Sequence, residues 1–197
     1  MAVAMAKTRE TLIEVARLLF ARTGVENTTM NDIAVASNKG RRTLYTYFKS
    51  KTDIYHAVIE SELNLLYSSL ESVAQKNIPA DEKLLEFLRI RLESIKNVVS
   101  RNGTLKANFF RDIWRVENVR KDFDLKEISY IQGILDEGVK NNIFDIEDTN
   151  SMAIVLHHAL KGLEVPYIRG RMTSTMPSNT DRTDSIIKLL FDGIKKK

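Results

Sequence analysis

Residues 28–58 read TTMNDIAVASNKGRRTLYTYFKSKTDIYHAV, and the punctuation of this stretch divides it into short helices. Thr29 stands three residues before Asp32, the spacing of a capping-box variant, so a helix starts there with Ile33 and Ala34 facing inward. Ser37-Asn38-Lys39-Gly40 is a cluster of turn formers that ends it. A further short helix runs from Arg41 to Phe48, and Ser50, with Asp53 at the matching position, caps the next. Upstream, Leu12, Ala16, Leu19 and Phe20 recur at helical spacing, and Gly24 follows as a left-handed stop. Three helices within about 50 residues, the second and third joined by a tight turn, have the layout of a helix-turn-helix.

Outward from this head the chain continues to read helical. A long helix is expected from Lys51 to Asn77, with Pro79 marking its end. Another spans Ala80 to Ser100, with Leu84, Leu88, Ile95 and Val99 along one stripe, and stops at Asn102-Gly103. Thr104–Val116 carries Phe109, Phe110, Ile113 and Trp114; helices over 119–141, 149–168 and 181–194 follow. The segment GRMTSTMPSNT, residues 170–180, is the most linker-like. No alternation of apolar and polar residues persists long enough for a strand. The expected fold class is all-α: an N-terminal three-helix DNA-binding domain over 1–50, and a helical ligand-binding and dimerisation domain over 51–197.

Composition narrows the function. The chain of 197 residues is 43% hydrophobic, enough to bury a core, and carries a net charge of +4. That charge is unevenly placed: residues 1–51 hold nine Lys/Arg against four Asp/Glu, while the remainder is close to neutral. A basic head on a neutral body is the electrostatic footprint of a polyanion binder. With no cysteine there is no disulfide framework, thiolate metal site or cysteine nucleophile, which fits a reducing cytoplasm. The N-terminal MAVAMA lacks the layout of a signal peptide, and no apolar run, Met152–Leu156 included, approaches the roughly 20 residues that span a bilayer. A cytoplasmic protein with no membrane partner is expected.

The helix from Arg41 suits the reading of DNA. Arg41 and Arg42 sit at its N-terminal end, where guanidinium groups can bond guanine O6 and N7 in pairs, or a phosphate. Thr43 can reach a base or a backbone oxygen. Tyr45 and Tyr47 offer hydroxyls to phosphates, and Lys49 and Lys51 flank a helix start where ammonium and backbone N–H groups attract a phosphate. Leu44 and Phe48, four apart, read as core. Thr28 and Thr29 read equally as helix cap and as phosphate ligand.

In the body, Phe87, Phe109, Phe110 and Trp114 read either as ordinary core or as the wall of a ligand pocket. Arg91 and Arg111 either face such a cavity and pair with an acidic ligand or are solvated. Two stripes, Met152, Leu156, Leu160 and Leu163, then Ile187, Leu190 and Ile194, offer more apolar surface than one chain buries and suggest a dimer interface. No metal site or cofactor is expected. His157 and His158 are adjacent and point in different directions, His56 is far off, and no Glu-x-x-His pair appears.

The run from Ile13 to Val58 resembles the TetR/AcrR repressors: Ile13-x-x-Ala16-x-x-Leu19-Phe20-x-x-x-Gly24, Thr28-Thr29-Met30-x-x-Ile33-Ala34, then Thr43-Leu44-Tyr45-x-Tyr47-Phe48-x-x-Lys51-x-x-x-Tyr55-x-x-Val58. The resemblance implies a nine-helix homodimer. Its first three helices bind DNA, its middle helices enclose an inducer pocket, and its last two pair across the dimer. Where that family's turn usually reads Ala-Gly-Val-Ser-x-Gly, this chain has Ser37-Asn38-Lys39-Gly40-Arg41-Arg42. Asn38 substitutes for glycine because Asn tolerates the left-handed conformation. Lys39 must turn its charge outward along the core, and Gly40 is an acceptable cap.

The function expected is therefore a sequence-specific transcriptional regulator, a repressor that binds a palindromic double-stranded operator as a homodimer and responds to a small-molecule inducer of unnamed chemistry. The rival reading is a sequence-tolerant DNA-binding or adaptor protein without an inducer. An enzyme is not expected, since no nucleophile elbow, glycine-rich phosphate loop or paired carboxylates appear.

Overall fold

A computed structural model describes residues 2–101, 113–168 and 182–192. Eight helices occur among the described residues, and no strand: α1 (Ala2–Thr23), α2 (Met30–Ala36), α3 (Arg41–Tyr47), α4 (Lys51–Ala74), α5 (Ala80–Arg101), α6 (Ile113–Lys140), α7 (Thr149–Ile168) and α8 (Arg182–Asp192). The all-α class stands. Most boundaries fall within a residue or two of the expected ones, but α4 ends three residues before Asn77. A break expected between Val116 and Val119 is absent. Neither proline nor glycine interrupts Glu117-Asn118, and one helix runs through from Ile113. Phe109, Phe110, Arg111 and the 170–180 loop lie outside the described residues. No helix of the described residues is long and apolar enough to cross a membrane.

The chain forms two compact units, Met1–Asn64 with Val98–Arg120, and Leu65–Asn97 with Lys121–Lys197. The core of the first joins Leu12, Ile13, Ala16 and Phe20 of α1 to Ile33 and Ala34 of α2, Leu44 of α3, Phe48, and Ile54, Tyr55, Ala57, Val58 and Ile59 of α4. Each large apolar side chain buried there contributes about 1.5–3 kcal/mol. The start of α4 is thus part of the head's core. Phe20 and Tyr55 pack edge to face at 6.2 Å, and the buried Arg17 bonds Glu14 at 2.5 and 2.8 Å and approaches Glu62 of α4 at 3.9 Å.

Local signals explain the connections. Gly24, at φ 88, ends α1 in the left-handed conformation, its N–H donating to Phe20 O. Thr29 and Asp32 form the expected capping box, with Asp32 N to Thr29 Oγ1 at 3.1 Å and Thr29 N to Asp32 Oδ2 at 2.8 Å. Asn38 has φ 52, and the amides of Asn38 and Lys39 donate to Val35 O and Ala34 O, a Schellman stop for α2. Lys39 is exposed, so its charge does point outward.

In the second unit Leu84, Phe87, Leu88 and Leu92 of α5 are buried, as are Phe123, Ile131, Ile134 and Leu135 of α6 and Ala153, Leu156 and Leu160 of α7. Phe144, in the connection after α6, packs edge to face on Phe191 of α8 at 6.3 Å. Gly138 makes room for it: a Cβ there would lie 2.0 Å from Phe144 Cδ2. Gly138→Ala should therefore displace the Phe144 ring and cost about 1–3 kcal/mol. Thermal unfolding followed by circular dichroism checks this. An unchanged midpoint would show that Phe144 repacks freely.

Candidate nucleic-acid interface

α3 is seven residues long, and one side of it is consumed by the core. Leu44 is fully buried, as is Phe48, which ends the helix with its N–H donating to Leu44 O. Arg41, Arg42, Tyr45 and Thr46 are exposed, and Thr43 and Tyr47 are half-buried. Arg42 and Thr46 stand two residues either side of Leu44, about 160° around the helix from it. They are the outermost points of the face. Thr46 escaped the sequence reading, although the helical period through Leu44 was enough to find it. Its hydroxyl donates to Arg42 O at 3.0 Å and keeps acceptor capacity outward. Two arginines, two threonines and a tyrosine hydroxyl on one rigid face can bond base edges and phosphates together.

The flanking candidates divide differently. Thr28 is 1% exposed; its hydroxyl donates to Gly24 O at 2.8 Å and lies 2.9 Å from Thr23 Oγ1. It therefore holds the α1–α2 connection and is not presented to a phosphate. Thr29 is exposed but bonded to Asp32, whose carboxyl is held below its usual range by the Thr29 hydroxyl and then the Thr29 N–H. An ionised carboxylate already serves that helix start. Lys49 is exposed, yet its amide and that of Ser50 both donate to Asp53 Oδ2, at 3.0 and 3.1 Å, so these amides are not offered to a phosphate. The Lys51 ammonium donates to Val25 O at 2.7 Å and Glu26 O at 3.2 Å, pinning the start of α4 to the loop after α1. These carbonyls satisfy locally the lysine that sequence reading assigned to phosphate.

The body candidates are also redistributed. Phe87 is core, and Arg91 is 1% exposed with its Nε on Glu127, so its acidic partner belongs to the chain itself. Phe109, Phe110 and the Trp114 side chain fall outside the described residues. Of the apolar stripes, Leu156, Leu160 and Ile187 are buried within the chain, Met152, Leu163 and Leu190 are half-buried, and Ile194 lies outside the described residues. A different stripe of α7 is exposed: Ser151, Ile154, Val155, His158 and Gly162, without one Asp, Glu, Lys or Arg.

Comparison with known proteins places these features. Residues 12–58 match the family model of bacterial regulatory proteins, tetR family. The chain is 30% identical over 174 residues to the probable acrEF/envCD operon repressor of Escherichia coli K12, covering 80% of this chain and 74% of that one. Among solved structures it is similar to a transcriptional regulator of Cytophaga hutchinsonii, with TM-score 0.74 and 22% identity over 95% of this chain and 98% of that one. It is also similar in fold to SmeT, the repressor of a Stenotrophomonas maltophilia multidrug efflux pump, with TM-score 0.69 and 16% identity over 96% and 91%. From the helix-turn-helix head, the family match across it and the near full-length relatedness, the chain belongs to the TetR/AcrR family of bacterial transcriptional regulators.

Proposed function

We propose that this chain is a ligand-responsive repressor that binds a palindromic operator as a homodimer. The observation that carries the reading is the exposed face of α3, with Arg41, Arg42, Tyr45 and Thr46 outward and Leu44 locked in the core. A dimer would set two such faces in successive major grooves, one helical turn apart. Residues 1–50 would supply the contacts and residues 51–197 the dimer and the ligand site, with the first turns of α4 serving both. Relatives support the repressor reading. The Escherichia coli relative is a probable operon repressor, SmeT is the repressor of a multidrug efflux pump, and SmeT is known in complex with triclosan.

Regulation follows from continuity. α4 contributes Ile54, Val58 and Ile59 to the head's core and Leu70 and Val73 to the buried set of the second unit. In that second half the Tyr67 and Tyr130 hydroxyls are hydrogen-bonded, and Tyr130 donates to Glu71 at 2.9 Å, joining α4 to α6. A small molecule that binds one arrangement of the body better than another would shift the spacing of the two heads, with coupling set by its differential affinity. No catalytic role is assigned to any residue.

The dimer is assigned to the exposed stripe of α7. Val155 is 59% exposed and Ile154 37%, and Leu189 of α8 is 77% exposed. Isolated exposed apolar residues are ordinary, but an uncharged stripe over three turns, in a chain that is 28% charged, is suited to burial against a second copy.

Three measurements test these statements. Selection of bound sites from a random duplex pool at near-physiological salt should return a palindrome. Recovery of no motif, with binding that vanishes as salt rises, would favour the sequence-tolerant reading. Arg42→Ala should weaken operator binding by about 1–3 kcal/mol and relax the preference at one base position, whereas Lys49→Ala should weaken all sequences alike and reduce the salt dependence. Equal losses on operator and random duplex for Arg42→Ala would reduce that residue to a phosphate contact. Val155→Glu should yield a folded monomer by light scattering with operator binding largely lost; a dimer of unchanged mass would move the interface elsewhere.

A further inference from the structure

α1 starts at Ala2, but the first side chain it gives to the head's core is Leu12. Residues 4–11 are exposed apart from the half-buried Thr8, so about three turns of helix stand ahead of the core. Ala2, Ala4 and Ala6 favour the helical state, which explains why these turns form. Burial does not explain what they carry. Lys7 and Arg9 stand on them, and both precede residues 12–58, the stretch that matches the family.

Arg9 turns back onto the head. Its Cζ lies 5.5 Å from the centroid of the Phe48 ring, within reach of a cation–π contact. Phe48 ends α3, two residues after the outward Thr46 and one before the exposed Lys49. The ring is 3% exposed, so it belongs to the core, and the exposed Arg9 covers it from the solvent side. The guanidinium is thereby fixed beside the C-terminal end of the face that presents Arg42 and Thr46.

What this contact leaves over decides what Arg9 can do. A cation–π contact uses the charge without consuming an N–H, so the five donors of the guanidinium remain. Among the described residues Arg9 has no hydrogen bond or ion pair. Other cations of the head are occupied, Arg17 by Glu14 and Lys51 by two carbonyls. Glu10 is the next residue, about 100° around the helix from Arg9, and Asp53 accepts from the amides of Lys49 and Ser50. A guanidinium held in one place with its donors uncommitted suits a phosphate, whose oxygens match its fork. With α3 laid in a major groove, its ends approach the strands that border the groove. A residue beyond its C-terminal end meets phosphate before it meets a base edge.

We propose that Arg9 binds a DNA phosphate, so that α1 supplies a further contact at the Phe48 end of α3, with the Phe48 ring as the platform that positions it. This deepens the operator reading and rests on it. Phe48 then serves the core with one part of its surface and the DNA contact with another.

The test is fluorescence anisotropy of the full-length chain with its selected operator and with a random duplex, each over a series of salt concentrations. Arg9→Gln should weaken both duplexes by the same factor, and the slope of log affinity against log salt should fall by about 0.9 for each head bound. Arg9→Lys, which keeps the charge, should keep the slope. Lys140→Gln, the same loss of charge at an exposed position of the second unit, should change neither slope nor affinity. Unchanged binding by Arg9→Gln would overturn the proposal, as would a loss confined to the operator, which would place Arg9 on a base. Equal flattening by Lys140→Gln would reduce the effect to net charge and overturn it too. The operator reading falls with it only if the parent chain shows no preference for any site. If the parent prefers its operator and Arg9→Gln binds as the parent does, the Arg9 contact falls alone.

Discussion

Burial of Leu44 and Phe48 is the constraint on which the DNA-binding head depends. A seven-residue helix has no stability of its own in water, because nucleation is unfavourable and too few hydrogen bonds follow it. α3 exists because these two side chains enter the core formed by α1, α2 and the first turns of α4. Once they are buried, the rotation of α3 about its axis is determined. Arg42 and Thr46 have to face outward, and Tyr47 has to lie half in the core. The exposed face of α3 is therefore a by-product of packing, and its rigidity comes from the buried Leu44 and Phe48.

The same constraint explains the crowding of caps around the head. Each of its short helices leaves orphan N–H and C=O groups, and the local sequence satisfies many of them from within. Thr29 with Asp32, Ser50 with Asp53, and Lys51 with Val25 and Glu26 are such closures. They consume groups that would otherwise suit a phosphate. Arg41, Arg42, Lys39 and Lys49 stand exposed on α3 and its two flanks.

The body follows a different balance. Its apolar stripes pack inward, and α7 shows how one helix serves two purposes. Ala153, Leu156, His157 and Leu160 face the interior, while Ile154, Val155 and His158 remain outside. The interior face carries both the helix's contribution to the core and the imidazole bonded to Glu127. Ions buried in this way are costly unless paired, so Arg91, Glu127 and His157 act as a unit, and loss of any one would strand the others.

Sequence alone determined the helical class, most helix boundaries, the capping boxes, the left-handed Asn38 turn and the basic third helix. All of these are set by interactions within a few residues of one another. Tertiary structure decided the rest, because it depends on which faces meet. Thr28 became a buried link, Lys51 a partner of carbonyls, and Arg91 the counter-ion of a glutamate 36 residues away. The most regular apolar stripe of α7 was read as an interface because periodicity detects burial without saying what does the burying. Leu156 and Leu160 are covered by their own chain, and only the folded arrangement shows that the neighbouring stripe through Val155 is the exposed one.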